Sequence, residues 1–481
     1  MPKLVILWSD VIVVLLVLAL AVYGVHVRRS ANLRSTWTTV FRDPPALCSA
    51  VILVLFFGVA LLDSLHFRRA LAPTAGAASA TAYGTRTESV LDVLLARQIE
   101  GRETSYSAPL ATRGFAKDSL EVAGRSEREY PRLTFGGAHL RDDAREWATD
   151  VAQRSVAGLA AGLLAAAAVG IAVALALARV HRVSLAEATR RLARNQTGLP
   201  LRAALVTVLV LCVLFGPAFV LAQHYHVFGT DRTGNDVFYQ ALKSIRTAFV
   251  IGTLSTLATL PFAVAFGILA GYLRGWVDEV IQYLYTTLSS VPNVLLIAAC
   301  VLMMQVFIDT HPELFETGAE RADVRLFLLC VILGVTGWAT LCRLLRAETM
   351  KLRELDYVQA ATAFGVGDAR IMLRHIYPNV VHLIIITTVL DFSALILYEA
   401  VLSYIGVGVD PSMNSFGGMI NLARNEMSRD PLIWWSFVAA FGFMVALVLA
   451  ANLFADGVRD AFDPRARLFR ARRLPFARAA R

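Results

Sequence analysis

The chain has 481 residues, of which 57% are hydrophobic, and it carries a formal net charge of +9 with a mean hydropathy of +0.58. Soluble domains are usually about 45–50% apolar, so this composition excludes an ordinary soluble globular protein. The positive charge could suggest a nucleic-acid partner. It lies in short segments between apolar blocks, however, which is typical of membrane proteins.

Nine apolar segments are long enough, as helices, to cross a hydrocarbon core of roughly 30 Å. A lipid-exposed backbone must satisfy its own hydrogen bonds, so we predict that every segment is helical. The fold class is therefore expected to be an all-α polytopic membrane protein. Its spans are predicted at about 7–27, 46–62, 155–178, 203–222, 247–270, 283–307, 326–342, 381–404 and 433–454.

The distribution of charge predicts the orientation of the chain. Basic residues lie in segments that the nine-span arrangement assigns to one side, whereas the loop 309–325 on the other side has five acidic residues against two arginines. Cytoplasmic loops carry an excess of lysine and arginine, so we expect the N-terminus outside and the C-terminus in the cytoplasm. The basic residues are Arg28, Arg29, Arg34, Arg42, Arg179, Arg182, Arg190, Arg191, Arg194 and the seven arginines of 465–481.

The first 222 residues differ from the rest. Residues 1–62 contain two spans, residues 63–153 form a polar insertion on the outer side, and residues 154–222 contain two further spans joined by a basic loop. The insertion is either a small extracytoplasmic domain that contacts a partner or a solvated, partly ordered segment. The basic loop 179–202 has helical periodicity, so we expect it to lie along the membrane surface.

The cysteines give no sign of a disulfide framework or a metal site. All five lie in or at the ends of apolar spans, and the sequence has no CxxC pair or Cys/His cluster. We interpret them as small hydrophobic residues, and we expect neither a metal nor a cofactor. They are Cys48, Cys212, Cys300, Cys330 and Cys342.

The second module, 223–465, contains five spans and is followed by a basic tail, 466–481. Glycines and short polar residues in 227–235 predict a turn, and the apolar positions from Asp236 onward predict an amphipathic helix that runs into the next span. Pro261 and Pro292 lie inside predicted spans, where we expect them to introduce kinks.

The most unusual segment of this module is 356–379, which is polar, broken by glycine and set between two long apolar spans. Tyr357, Ala360, Ala361 and Phe364 fall at i, i+3, i+4 and i+7, which predicts a short helix with one small, apolar face. Taken alone, the segment is either an ordinary interhelical loop or a surface that a soluble partner binds.

The remaining residues of this segment predict where its helices begin and end. Gly365 should end the first helix because glycine tolerates a positive φ. Asp368 should cap the second helix, and Pro378 should stop it. The second helix is expected to carry Ile371, Met372 and His375.

Four motifs, which follow one another along the chain in the family's order, resemble those of the permease subunits of bacterial ABC importers. The resemblance is specifically to the second permease of dipeptide, oligopeptide and nickel systems. QAA at 359–361, followed by Gly365 and Pro378, matches the spacing of the family's cytoplasmic EAA motif. The other three motifs are GTDRTGND (229–236), similar to GTDxxGRD, LSYIGVGV (402–409), similar to LSFLGLGV, and ADGVRDAFDPR (455–465), similar to GDGLRDALDPR.

The resemblance covers about 225–465. Residues 34–62, an arginine-flanked polar run that leads into a span, resemble the usual start of such permeases, so the region 63–222 looks like an insertion that carries two added spans. It implies a type I ABC importer permease core with N-terminal additions in the bacterial cytoplasmic (inner) membrane. The implied partners are a second homologous permease, two cytoplasmic ATP-binding subunits and an extracytoplasmic substrate-binding protein, with the lipid bilayer around the chain and no nucleic acid. The implied cargo is a peptide or peptide-like solute.

In this family the hairpin docks in a groove on the ATPase, so its residues are expected to couple ATP hydrolysis to transport. Three positions depart from the motif, and at two of them Gln359 replaces Glu and Tyr377 replaces Leu. His375 occupies the usual Ile position. The residues carried over as ATPase-coupling are Tyr357, Gln359, Ala360, Ala361, Gly365, Arg370, Arg374, His375 and Pro378.

Enzyme chemistry is not expected of this chain. The sequence has no GxxxxGK[ST] phosphate-binding loop, no HExxH element and no GxSxG element, and GVGVD at 406–410 is interpreted as a turn. The energy for transport would therefore come from separate ATPase subunits.

Two carboxylates lie inside the span predicted at 381–404. Asp391 and Glu399 are about two helical turns apart and share roughly one face, where they could line the translocation path or hold helices together. Asn293, beside Pro292, could line the path or hydrogen-bond freed backbone. Two alternative functions remain: an ion-coupled secondary transporter, which Asp391 alone suggests, and a membrane receptor or assembly protein that uses the insertion.

Overall fold

The structure, a computed structural model, describes residues 3–70, 83–84, 87–122, 125–315 and 317–462. Within these residues the chain is mostly helical, and nine segments are long and apolar enough to cross a membrane. The all-α class and the number of spans are thus confirmed. The predicted basic tail 466–481 lies outside the described residues, as do 71–82 in the insertion.

The helices follow one another along the chain with few strands between them. The first eight are α1 (Trp8–Arg29), α2 (Ala31–Arg42), α3 (Pro44–Asp63), α4 (Val90–Leu94), α5 (Ala96–Glu100), α6 (Asp143–His181), α7 (Leu185–Ala193) and α8 (Leu201–Leu221). The others are α9 (Val237–Leu273), α10 (Gly275–Ser290), α11 (Asn293–Thr310), α12 (Gly318–Gly337), α13 (Ala339–Arg353), α14 (Asp356–Ala363), α15 (Asp368–Ile371), α16 (Tyr377–Ile405), α17 (Phe416–Glu426) and α18 (Trp435–Phe462).

The short strands all lie near the N-terminus or in the insertion. They are β1 (Lys3–Leu4), β2 (His66–Arg68), β3 (Glu88–Ser89), β4 (Asp118–Val122) and β5 (Arg125–Glu129). The first three form an antiparallel sheet in the order β1-β2-β3, and the last two form an antiparallel hairpin. Because β1 pairs with β2, which follows α3, the N-terminal strand lies beside the start of the insertion.

The span predicted at 283–307 is wrong at its start. Helix α10 ends at Ser290, the backbone is extended at Val291, and only α11, from Asn293, is a candidate span here. Proline disfavours helical backbone in the residue before it and is tolerated where a helix begins, so Pro292 precedes a helix instead of kinking one. Pro261 does lie inside α9, as predicted.

The described chain divides into two compact units. The first comprises the described residues of Met1–Val5, Thr38–Thr247 and Asn414–Phe454, and the second those of Ile6–Trp37, Ala248–Met413 and Ala455–Arg481. Helices α2, α9 and α18 therefore contribute residues to both units. The five-part division drawn from the sequence stays a prediction.

In the first unit, the two spans after the insertion pack as a close pair. A Cβ atom added at Gly158 of α6 would lie 2.5 Å from the Cα of Pro217 in α8, and one added at Gly162 would overlap the carbonyl of Cys212. Small residues four apart allow membrane helices to approach at backbone distance. The sequence therefore specifies an α6–α8 pair, and α7 lies in the basic loop that joins the two spans.

The insertion is fixed to the turn before α9 by a buried group that we call the histidine clasp: Glu103, His226 and Asp236. Nδ1 of His226 lies 2.7 Å from a carboxylate oxygen of Asp236, and Nε2 lies 3.6 Å from one of Glu103. All three residues are buried. The Glu103 carboxylate also accepts the backbone N–H groups of 134–136 at 2.8–3.2 Å, so it holds that loop as well.

The clasp residues titrate far from their ordinary ranges. Burial alone would lower the pKa of His226, but the carboxylates of Asp236 and Glu103 outweigh it and raise the pKa to about 9. Burial alone would raise the pKa of Glu103, but His226 and the three backbone N–H groups lower it to about 2. Near neutral pH the clasp is therefore a cationic histidine between two carboxylates.

A second charged group joins the insertion to α3 and α9 in the same unit. The ammonium group of Lys243 lies 2.8 Å from a carboxylate oxygen of Asp92 in α4 and 3.3 Å from one of Asp63 at the end of α3. Burial would raise the pKa of Asp92, but Lys243 outweighs it and lowers the pKa. Charges removed from water persist only when they are paired in this way, so the insertion is an integral part of this unit.

In the second unit, α1 packs against the start of α12, where the backbone N–H of Ser9 donates to the Asp323 carboxylate at 3.0 Å. Close to this point along the chain, Arg325 forms an ion pair with Asp410 at 3.0 Å. Helix α16 ends at Gly406, whose φ of +89° begins the turn predicted for GVGVD.

Candidate functional site

The hairpin 356–379 belongs to the second unit and bends at Gly365, as predicted. Gly365 has a φ of +74°, its N–H donates to the carbonyl of Thr362 at 3.0 Å, and the N–H of Val366 donates to that of Ala361 at 3.1 Å. These two bonds form a Schellman motif, which satisfies the last carbonyl groups of α14. The glycine thus ends one helix and redirects the chain toward α15.

Two predicted helix boundaries in the hairpin are wrong. Gly367, not Asp368, occupies the N-cap of α15, and the Asp368 carboxylate instead accepts a 3.0 Å hydrogen bond from the hydroxyl of Tyr272. Pro378 does not stop the second helix. A π-helical turn, Met372–Ile376, follows α15, and Pro378 lies in the first turn of α16, where its missing N–H needs no intrahelical partner.

One face of the hairpin is anchored in an apolar core. Val358, Ile371, Ile376 and Val380 are buried, and the half-buried Ala361 packs against the same cluster. The buried face of α14 is not the one that the sequence periodicity predicts, because Val358 is buried whereas Tyr357, Ala360 and Phe364 are exposed. The other core residues belong to α9, α10 and α13, or lie between α12 and α13 in the case of Trp338. They are Ala263, Ile268, Ala270, Tyr272, Ile281, Tyr285, Trp338, Ala339, Leu341, Cys342 and Leu345.

The opposite face presents apolar side chains to solvent. Phe364, directly before the bend, is 87% exposed, and Leu373 is 71% exposed. Tyr357 and Ala360 are also exposed, and the Tyr357 hydroxyl accepts a hydrogen bond from the Asn379 amide at 3.1 Å. Nothing in the described part of this unit covers these apolar side chains at the tip of a polar hairpin.

Some polar side chains of the hairpin contact residues close to them in the chain, whereas others make no such contact. The Gln359 amide donates to the carbonyl of Glu354 at 3.3 Å, a bond that needs no negative charge at this position. His375 packs its ring near that of Tyr357. Arg370 and Arg374 are exposed and, among the residues that the structure describes, make no ion pair or side-chain hydrogen bond. Both guanidinium groups are therefore available to carboxylates on a partner.

The structure does not join the three predicted pathway residues. Glu399 is buried in α16 and accepts a 2.6 Å hydrogen bond from Ser403, which supports a structural role. Asp391 is half-buried in the same helix, and the described part of the chain offers it no hydrogen bond or ion pair. Asn293 is the first residue of α11 and is partly exposed.

Sequence reasoning missed three residues of the hairpin region. Phe364 is predicted on the apolar face of the first helix and not at an exposed tip, although its place immediately before Gly365 already puts it there. Leu373 belongs to no periodic pattern, and Tyr272 lies almost 100 positions earlier in the sequence. Only the fold brings Tyr272 to Asp368.

The chain is similar to known permeases. A family profile described as "Binding-protein-dependent transport system inner membrane component" matches residues 263–468. The oligopeptide transport system permease protein OppC of Mycobacterium tuberculosis is 31% identical over 245 residues, which are 51% of this chain and 78% of the relative. The glutathione transport system permease protein GsiD of Pectobacterium atrosepticum is 32% identical over 242 residues, 50% of this chain and 73% of the relative.

A third relative extends the match slightly. The OppC protein of Bacillus subtilis is 27% identical over 277 residues, 55% of this chain and 84% of the relative. The hairpin 356–379 lies inside the region 263–468 that the profile matches. The chain therefore belongs to the inner-membrane components of binding-protein-dependent transport systems, as a multi-pass permease of the ABC importer family that includes oligopeptide permeases.

Proposed function

We propose that this chain forms half of the translocation pathway of an ATP-driven importer, paired with a second homologous permease. Two cytoplasmic ATP-binding subunits would supply the energy, and an extracytoplasmic binding protein would deliver the cargo. Peptides or peptide-like solutes are the proposed cargo, because named relatives are oligopeptide and glutathione permeases.

The observation that carries the proposal is the two-sided hairpin 356–379. Its inner face is fixed by buried residues such as Val358 and Ile371, while Phe364 projects from the bend. An anchored element with an exposed apolar tip can transmit a push from a partner to the spans at its base. Arg370 and Arg374 add charge that is complementary to a carboxylate-bearing rim.

The same proposal includes the orientation of the chain. The basic loop that contains α7 and the hairpin would face the cytoplasm, and the insertion would lie outside. Pairing of β1 with β2 supports an N-terminus on the same side as the insertion. Single cysteines introduced at Arg190 and at Glu129 should react with an impermeant thiol reagent from opposite sides of sealed vesicles. Reaction of both from one side would contradict the orientation.

The intramembrane carboxylate at Asp391 is proposed to line the pathway. A half-buried carboxyl group without a partner in the described residues is costly at membrane depth unless it faces an aqueous route or a second subunit. ATP-driven uptake by Asp391→Asn should change in KM more than in maximal rate. Uptake that needs no ATP and disappears in this variant would favour the ion-coupled alternative.

Co-purification with the ATP-binding subunit tests the coupling role. Phe364→Asp places a charge at the tip and should remove most of the bound ATPase, because a buried aromatic anchor at an interface typically contributes about 2 kcal/mol or more. Leu314→Asp is the matched control, since Leu314 is 61% exposed in a 3₁₀ turn, Pro312–Leu314, far along the chain from the hairpin. Equal ATPase recovery with both variants would contradict the proposal.

A further inference from the structure

An apolar crevice of about 350 Å³ lies among four membrane-spanning helices of the first unit: α3, α8, α9 and α18. Every side chain that lines it is hydrophobic. The lining includes Leu55, Phe56, Leu211, Phe219, Ile245 and Phe443. No part of the proposed transport function uses this crevice.

The positions of the lining residues give the depth of the crevice in the membrane. On α3 they run from Val51 to Val59, close to the end of the helix at Asp63, and on α8 they reach Phe219, close to the end at Leu221. The end of α3 leads into the insertion. The end of α8 leads into the turn that contacts the insertion through the histidine clasp. The crevice therefore lies in the half of the bilayer on the insertion side.

The crevice is long and narrow. At 1.5 Å per residue, the lining residues extend about 12 Å along α3 and about 16 Å along α8. A volume of about 350 Å³ over this length is open to the centre of a water molecule, so the free width is roughly 5 Å plus one water diameter, or roughly 8 Å. A helix with its side chains is about 10–12 Å across, so no helix of a partner subunit fits. One extended hydrocarbon chain, with atoms in contact at about 4 Å on either side, does fit.

Water is a poor occupant because the lining offers no polar group to bind it. The rim is also apolar: Leu55 is 43% exposed and Phe219 is 53% exposed. Both residues belong to candidate spans, so the medium at the mouth is the hydrocarbon of the bilayer. The local supply of chains of the right width and polarity is the surrounding lipid.

We propose that the crevice holds one acyl chain of a phospholipid from the bilayer leaflet on the insertion side. The chain enters past Leu55 and Phe219 and lies along Leu211, against Phe56 and Ile245. It extends the contact between the added α6–α8 pair and helices α9 and α18, because α8 packs directly against α3 and meets α18 in the crevice through the rings of Phe215 and Phe443, 6.2 Å apart. Filling this gap restores the dispersion contacts that an empty crevice would lose.

Photolabelling of the full-length protein in nanodiscs tests the proposal. The nanodiscs contain phosphatidylethanolamine and phosphatidylglycerol with a trace of a phosphatidylcholine that carries a diazirine on one acyl chain. Ile245 lines the crevice and Ala241, one turn earlier on α9, does not, although both are fully buried. We expect about tenfold more label at Ile245 than at Ala241, which corresponds to about 1.4 kcal/mol. Equal labelling of the two residues would overturn the proposal.

A pair of tryptophan variants provides the matched control. Leu211→Trp fills the crevice and should reduce the label at Phe56 and Ile245 by about tenfold. Val206→Trp adds the same side chain on the exposed face of α8, where Val206 is 51% exposed, and should leave that label unchanged. Labelling that survives Leu211→Trp in a monodisperse protein would overturn the proposal.

A photoreactive amino acid in place of Leu55 distinguishes the occupants without any crevice-filling variant. We expect its main adduct to have the mass of one phospholipid. An adduct with a second permease, with another copy of this chain or with detergent alone would overturn the assignment to a lipid chain.

Discussion

The hairpin 356–379 and the histidine clasp use charged residues in opposite ways. In the clasp, Glu103, His226 and Asp236 are buried and paired as ions, so the charges serve the fold. In the hairpin, Arg370 and Arg374 stay in solvent, and the fold is held by apolar residues behind them. Charge that is buried and paired stabilises the fold, whereas the exposed charge beside the exposed Phe364 is the basis of the proposed partner surface.

The largest effect is expected from breaking the clasp. Glu103→Ala would leave His226 charged with only Asp236 and would strip three backbone N–H groups of their acceptor. Removing one partner from a buried charged group costs about 3–5 kcal/mol, so limited proteolysis of the insertion should become much faster. Glu129→Ala, at an exposed position of β5, is the control and should leave the cleavage rate unchanged. Equal rates for the two variants would show that the clasp carries no stability.

The clasp should also make the stability of the insertion depend on pH. The pKa of His226 is raised from 6.5 to about 9, so its contribution is fully present below about pH 6.5 and is lost as the pH rises through about 9. The pKa of Glu103 is lowered from 4.5 to about 2, so its contribution is fully present above about pH 4.5 and is lost as the pH falls through about 2. The insertion should be most protected against proteolysis between these limits.

A histidine variant distinguishes the alkaline loss of protection against proteolysis from the acid loss. His226→Gln removes the group that titrates near pH 9, so the alkaline loss of protection should disappear while overall protection falls. A wild-type profile that is flat from pH 5 to about pH 10 would contradict the cationic state of His226.

A smaller effect is expected at the bend of the hairpin. Gly365→Val forces a β-branched residue to a φ of +74°, and left-handed backbone costs an L-residue about 1–2 kcal/mol. Asn tolerates this conformation, so Gly365→Asn should keep most of the ATPase binding that Gly365→Val loses. Gly367→Ala is the control, because Gly367 has a φ of −63° and no atom within 4 Å of an added Cβ. Equal binding by the Val and Asn variants would exclude a conformational requirement at this position.

The smallest effect is expected where the hairpin is tied to α9. Tyr272→Phe removes the hydrogen bond to Asp368, which is worth about 0.5–1.5 kcal/mol. Hydrogen exchange at Asp368–Ile371 should accelerate by about two- to tenfold. Tyr283→Phe, at an exposed position of α10, should not change it.

The sequence predicted the parts of this fold that depend on local chemistry. Gly365 marks the bend because only a residue that tolerates a positive φ forms it, and the nine spans follow from long apolar runs. The N-cap predicted at Asp368 is wrong because an aspartate carboxylate can accept a hydrogen bond either from the backbone at a helix N-terminus or from a distant hydroxyl group. Only the proximity of Tyr272 decides between them.

The insertion was hardest to predict, for a related reason. Its order comes from pairs that are distant in sequence, such as Glu103 with His226 and Asp92 with Lys243. Neither pair produces a periodic pattern, so composition alone left a domain and a loosely ordered segment as equal choices. The break at Pro292 shows the same limit, because an apolar run does not reveal where the backbone leaves the helix.

The coupling role of the hairpin is tested most directly by a photoreactive residue in place of Phe364 in the complete importer. We expect its main protein adduct to be the cytoplasmic ATP-binding subunit, while the same residue in place of Leu314 should give no such adduct. An adduct at Phe364 with lipid or water alone, in an importer that still hydrolyses ATP and transports, would contradict the coupling role of this hairpin.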